Sequence, residues 1–229
     1  MKYGTISIAF FIIALIGFSC KSRIAGKGIS EGEIHYNIEY KGNIAGVPKE
    51  LLPKTLVVHF KQNNILFEML SVFGKAGIVY LSNPKDKIYD TYFNFFAVKY
   101  YYEASEGEFF MGFDAMEGIE INKTSKTMVI CNFLCKHAEV TLPADRNRII
   151  DIWYTDEINV RNSNLATPFN EIEGVLMNFF FYIGETEVHF SAENVYSKTI
   201  NDNMFVRRKD HQKATKEEIN NLIDRMIGF

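Results

Sequence analysis

Glu33-Ile34-His35-Tyr36-Asn37-Ile38-Glu39-Tyr40 places Ile34, Tyr36, Ile38 and Tyr40 on one side of an extended chain and Glu33, His35, Asn37 and Glu39 on the other. Strict alternation of this kind is the pattern of a strand with one face in a core and the other in water. Downstream, Leu56, Val58 and Phe60 repeat it, Gln62-Asn63-Asn64 supplies turn chemistry, and Ile65, Phe67 and Met69 resume it, which reads as a hairpin. Further β-rich runs occupy 77–82, 87–92, 97–102, 118–122, 128–141, 149–155, 175–184 and 186–194. Breakers fall between them at Ser82-Asn83-Pro84-Lys85-Asp86, Leu142-Pro143-Ala144-Asp145 and Ile183-Gly184-Glu185. Short strands at regular spacing indicate a mainly β chain built as an antiparallel meander, sandwich or barrel-like sheet.

The period changes at the C-terminus. Thr215 with Glu218 three residues on is a capping box, and Ile219, Leu222, Ile223, Met226 and Ile227 follow at helical spacing before Gly228. This predicts a C-terminal amphipathic helix; a shorter helix is expected over 168–173. Phe179-Phe180-Phe181-Tyr182 and Tyr100-Tyr101-Tyr102 put large rings on both faces of their strands. An antiparallel sheet usually keeps one face wet, so something must cover the second. The terminal helix is expected over one stretch, with sheet packing, an apolar ligand or a partner protein over the rest. Tyr100, Tyr102, Phe109, Phe113, Trp153, Phe179 and Phe181 are the candidate lining of an apolar site.

Upstream of the first strand, Lys2 precedes an apolar run over 6–18 that ends in Gly17-Phe18-Ser19-Cys20. The run is shorter than the roughly 20 apolar residues of a spanning helix and matches a secretory signal core. A small residue followed by cysteine resembles a lipobox, which makes Cys20 the expected lipid-attachment residue and first residue of the mature chain. The expected organisation is a signal peptide over 1–19, a lipidated N-terminus and tether over 20–30, and one β-rich domain over 31–229. The net charge of −3 becomes −4 once Lys2 is removed, and no basic stripe interleaved with aromatics is present, so nucleic acid is not an expected partner. A membrane, through the N-terminal lipid, is.

Cys131 and Cys135 would lie in a compartment that permits disulfides. On a continuous strand they are about 13 Å apart, beyond the roughly 7 Å reach of a bridge, unless a tight turn at Asn132 brings them together. Cys135 and His137, two apart on a strand, share a face and are the one candidate thiol centre. The histidines at 35, 59, 137, 189 and 211 include no i, i+4 pair, so no metal and no cofactor is expected. His35, His59 and His189 fall on the polar phase of strands. The acidic segment between Glu103 and Glu120 also carries Phe109, Phe110, Met111, Phe113 and Met116, and reads either as a strand pair with an acidic face or as a flap over the open end of the sheet. Arg207-Arg208-Lys209 and Lys213 form a basic run, read as a solvated face or a contact for anionic headgroups.

Several motifs together resemble the GLPGLI-type family of bacterial secreted or lipid-anchored proteins. The Lys123-Thr124-Ser125-Lys126 turn, Ile130, Asn132-Phe133, Cys135-Lys136 and Ala138 are similar to its "I-x-G-Y-x-C-x-x-A" strand, with Asn132 in place of glycine. Ile152-Trp153-Tyr154-Thr155-Asp156-Glu157-Ile158 resembles its "W-Y-T-x-x-I" strand. Pro168-Phe169-Asn170 and Gly174-Val175-Leu176 sit where its name-giving hexapeptide would lie, and Ala192 and Phe205 fit later positions. The resemblance, with a more distant one to lipoprotein carriers of the LolA and LolB type, implies a curved, half-barrel-like antiparallel sheet around a hydrophobic cavity, and no catalytic site. The expected function is therefore a cell-envelope lipoprotein, at the outer membrane facing the periplasm, that binds or carries a lipid or acyl chain. The alternatives are an interaction lipoprotein that docks an envelope protein without a small ligand, and an enzyme using the Cys135 thiol or the acidic segment.

Overall fold

The protein is described by a computed structural model covering residues 23–24, 26–42, 50, 52–71, 73–183 and 186–227. Cys20 and the expected signal peptide lie outside the described residues. The strands are β1 (Arg23–Ile24), β2 (Glu31–Lys41), β3 (Thr55–Lys61), β4 (Asn64–Leu70), β5 (Ala76–Asn83), β6 (Ile88–Phe95), β7 (Val98–Glu103), β8 (Glu120–Ile130), β9 (Phe133–Leu142), β10 (Asp145–Thr155), β11 (Val175–Ile183), β12 (Thr186–Ser197) and β13 (Gln212–Lys213), followed by one helix, α1 (Lys216–Ile227). All belong to a single sheet in the order β13-β7-β6-β5-β4-β3-β2-β12-β11-β10-β9-β8, with β1 beside β12. Every pairing is antiparallel except that of β13 with β7. The sheet is curved and does not close.

The alternation in β2 decides both faces. Ile34, Tyr36 and Ile38 join an inner core with Leu56, Val58 and Phe60 of β3 and Ile65, Phe67 and Met69 of β4. Their neighbours point outward, where Leu66, Val79, Leu81 and Tyr92 form a second, smaller core. The curvature shows in Phe113, whose ring lies 5.1 Å from Tyr80 of β5 and 4.3 Å from Phe181 of β11, strands separated by β4, β3, β2 and β12 in the sheet. β10 and β11 pair only where Trp153–Thr155 meets Val175–Asn178, and then splay. Phe180 is fully buried beside this split, and the Tyr182 N–H, lacking a strand partner there, donates to Met116 Sδ at 3.1 Å.

Non-strand segments cover the two faces. Residues 104–119 and 156–174 fold over the inner face, burying Phe110, Met111, Phe113 and Met116 from the first and Ile158, Val160, Phe169 and Ile172 from the second. The acidic segment is thus a flap and not a strand pair. Residues 198–211 strap the outer face, with Ile200 and Phe205 on Leu66, Val79 and Tyr92. The predicted capping box forms, Thr215 N–H donating to Glu218 Oε2 at 2.8 Å and Glu218 N–H to Thr215 Oγ1 at 3.2 Å. The helix it starts packs Ile219 and Leu222 on the inner core, so the cover of the outer face is the strap rather than the helix.

Three local expectations are corrected. Residues 128–141 are not one strand: the chain reverses at Cys131-Asn132, with φ of 50° and 69°, the left-handed pair of a two-residue hairpin turn. Lys123–Lys126 is accordingly no turn but a bulge within β8. The helix expected over 168–173 is a run of turns held by side chains, Thr167 Oγ1 donating to Asn164 O and Asn164 Nδ2 to Ile172 O, each at 2.9 Å. Such side-chain bonds to backbone compete directly with helix formation.

Candidate functional site

The inner face is an aromatic hollow whose contents come from the chain itself. Phe179 and Phe190 stack with centroids 4.9 Å apart, and Phe179 meets Phe181 edge-on at 5.2 Å. Phe113 stacks on Phe181, while Phe110 and Phe113 both contact Tyr80, at 5.0 and 5.1 Å. The flap backbone is fastened at several points: Phe110 N–H donates to Ala166 O at 2.8 Å, Met111 N–H to Thr91 Oγ1 at 3.1 Å, and the Tyr80 hydroxyl to Met111 O at 3.1 Å. Chemically this is an apolar surface, with hydroxyls and backbone groups as its few polar elements.

Of the seven residues expected to line an apolar site, Phe113, Phe179 and Phe181 come together in this hollow. Tyr100 and Tyr102 lie on the inner face of β7, half-buried at the margin of the core. The Tyr102 hydroxyl donates to Glu108 at 2.8 Å; burial and that carboxylate push its pKa up to about 12. Phe109 is half-buried in the flap. Trp153 is on the outer face, its ring 4.6 Å from that of His137. None of the seven lines either of two surface clefts. One, of about 550 Å³, lies between β8–β10 and the 156–174 loop, and the other, of about 650 Å³, lies at the β6–β7 turn beside His211. Sequence reading missed Tyr80 and Phe169 as partners of this cluster; the signal for Phe169 was the spacing of Ile158, Val160, Phe169 and Ile172 through a turn-rich stretch.

The thiol centre does not assemble. Cys135 is 0% exposed, while His137 bonds Thr124 and Asp151. Both ring nitrogens of His137 are thus taken, and the Cys135 thiol points to Phe133 O at 3.5 Å. Burial pushes the Cys135 thiol up to about 11, the reverse of what a nucleophile needs. Both Cys131 and Cys135 are free thiols.

Three of the four cations of the basic run are paired with carboxylates. Arg207 grips Asp90 with two bonds of 2.8 and 2.9 Å and Glu103 with a third, Arg208 pairs with Glu68 at 2.6 Å, and Lys213 with Glu103 at 2.7 Å. His59, expected in solvent, is buried beside Glu68. At the β10–β11 split, Arg148 makes a bidentate pair with Glu187, both bonds 2.6 Å, which Tyr182 and His189 complete at 2.7 and 2.6 Å. Burial works against the Glu187 carboxylate, but Arg148, His189 and Tyr182 together outweigh it and hold its pKa at about 2.

A third feature is an exposed aromatic tip. Phe73, Phe95, Phe96 and Val98 are all exposed around the β6–β7 turn, Phe73 at 77% and Phe96 at 61%. Phe95 and Phe96 pack edge-on at 5.1 Å. Phe96 adopts φ 54°, a left-handed conformation that suits glycine or asparagine far better than phenylalanine.

No protein-family model matches the chain, and no curated protein matches it in sequence. Among solved structures it is similar to PNGF-II in two crystal forms, with TM-scores of 0.53 and 0.54 at 15% identity over 84% and 85% of this chain. The chain spans about a third of PNGF-II, 32% and 33% of its length in the two structures. At that identity the likeness is one of fold, and it places the curved open sheet of this protein beside one built into a longer chain.

Proposed function

We propose that the chain is a cell-envelope lipoprotein of GLPGLI type, anchored through Cys20, whose domain binds an apolar ligand such as a lipid or acyl chain on the inner face of its sheet. The observation that carries this reading is the way the aromatic hollow is closed. It is closed by an irregular flap whose Phe110, Met111, Phe113 and Met116 occupy the space between the walls. A flap can leave where a strand ladder cannot, and the ligand takes its place against Tyr80, Phe179 and Phe181. Lipid extracted from the purified protein and identified by mass spectrometry is the direct test. Phe113→Ala, which vacates space against Phe181, is expected to bind a fluorescent fatty acid more tightly than the parent chain. No retained lipid, together with no probe binding by either chain, sinks the reading.

The exposed tip favours a second reading, an interaction lipoprotein that docks an envelope protein through Phe73, Phe95, Phe96 and Val98. β1 pairs with Ser197 in the row that runs through Gly32, Phe60, Ile65, Ser82 and Tyr89. Phe95 is six residues farther along β6, about 20 Å at strand spacing. A chain tethered through its N-terminus therefore presents this tip away from the tether.

A further inference from the structure

The outer face of β9 and β10 carries a constellation that neither the flap nor the tip uses. Asp151 and Glu139 are direct cross-strand partners, and His137 lies two residues from Glu139 along β9 on the same face. One ligating atom from each of the three lies within 4.8 Å of the other two. Like charges set directly opposite in an antiparallel pair repel, so this register gains from a cation between the carboxylates. Lys126 Nζ approaches Glu139 Oε1 at 3.3 Å and Asn122 Nδ2 approaches Oε2 at 3.5 Å, but Lys126 is largely in solvent and free to swing away.

His137 is held ready. Its side chain is 1% exposed and packs against Trp153, so the ring has little freedom to turn. Opposite it, Lys123 pairs with Ala138 and Thr127 with Lys136, which leaves Thr124, Ser125 and Lys126 facing His137 alone. Bulges of this kind re-aim side chains, and this one brings Thr124 Oγ1 to 2.8 Å from Nδ1. The other nitrogen, Nε2, faces Asp151 Oδ1 at 2.8 Å. A hydroxyl both donates and accepts. When an ion takes the Nε2 lone pair, the ring proton resides on Nδ1 and Thr124 accepts it, the outer-shell bond that orients metal-binding histidines.

We propose that His137, Glu139 and Asp151 bind a divalent first-row transition metal ion, with Thr124 as the residue that positions His137. One imidazole nitrogen and two carboxylate oxygens suit zinc or a neighbouring ion better than magnesium or calcium, which favour all-oxygen sites. Three protein ligands leave the fourth tetrahedral position to water. The test is calorimetric titration of the full, untagged chain, extracted in detergent and stripped with chelator, with zinc chloride; cobalt chloride in parallel reads the donor geometry by visible absorption. One ion per chain is expected. Asp151→Asn and Glu139→Gln, at positions with solvent access, are expected to weaken zinc by tenfold or more, and Thr124→Val by about tenfold. Absence of binding at millimolar zinc overturns the proposal, and so does binding that both carboxylate variants, folded by circular dichroism, leave unchanged.

Discussion

Phe96 is the residue at which local chemistry and context disagree most openly. Its φ of 54° and 61% exposure combine backbone strain with an aromatic ring in water, and nothing in the core requires either. A left-handed conformation costs an ordinary residue about 1–2 kcal/mol, so Phe96→Asn is expected to raise stability by about 1 kcal/mol in urea unfolding; no gain would mean the turn is unstrained. Gly174, at φ 133°, is the opposite case. Its carbonyl accepts from Ser163 Oγ and Asn164 Nδ2, both at 2.8 Å, and an added Cβ would lie 2.6 Å from Thr155 O. Gly174→Ala is expected to destabilise the domain by about 1–3 kcal/mol in the same measurement. Glu187 sets an acid limit. Its folded pKa of about 2 is below the ordinary 4.5, so its contribution is complete above about 4.5 and is lost as pH falls toward 2. Thermal melting against pH should therefore decline through that window, and Glu187→Gln should flatten the decline.

At the scale of elements, the flap and the strap do for the two faces what a second sheet does in a sandwich. The strap is fixed by charge as well as packing, since Arg207 and Arg208 reach Asp90, Glu103 and Glu68 across the outer face. The flap is fixed by packing, with Phe113 stacked on Phe181 and tilted against Tyr80. Phe113→Ala is expected to cost about 3–5 kcal/mol in urea unfolding, the range for a buried aromatic truncated to alanine. A loss below 1 kcal/mol would show that the sheet holds its shape without the flap.

The whole molecule is an open sheet edged by β13 and β8, with β1 beside its central strand β12 and the aromatic tip at the β6–β7 turn. No helix among the described residues is long and apolar enough to cross a membrane. In the proposed reading the attachment to the envelope is Cys20, and Cys20→Ser is expected to move the chain from the membrane fraction to the soluble one on fractionation and immunoblotting. Retention of the variant in the membrane fraction would break the link between lipid and location.

Period-two alternation from Ile34 to Tyr40, the hairpin through Gln62 and the capping box at Thr215 were all legible without coordinates, because each rests on contacts between residues close in the chain. The turn at Cys131-Asn132 was legible only as the alternative to a continuous strand, since neither residue is glycine and a bulge at Thr124 mimics a turn in sequence. The partners that keep Cys135 and His137 apart were not legible, Phe133 O for the thiol and Thr124 and Asp151 for the imidazole. The sequence by itself determined that this is a mainly β protein with apolar rings on both faces of its strands. Only the tertiary structure decided which segments cover those faces, and that Phe113 meets Phe181 and Asp151 meets Glu139. Such pairings depend on sheet curvature and strand register, which arise from the whole set of long-range contacts and leave no periodic mark on any one stretch.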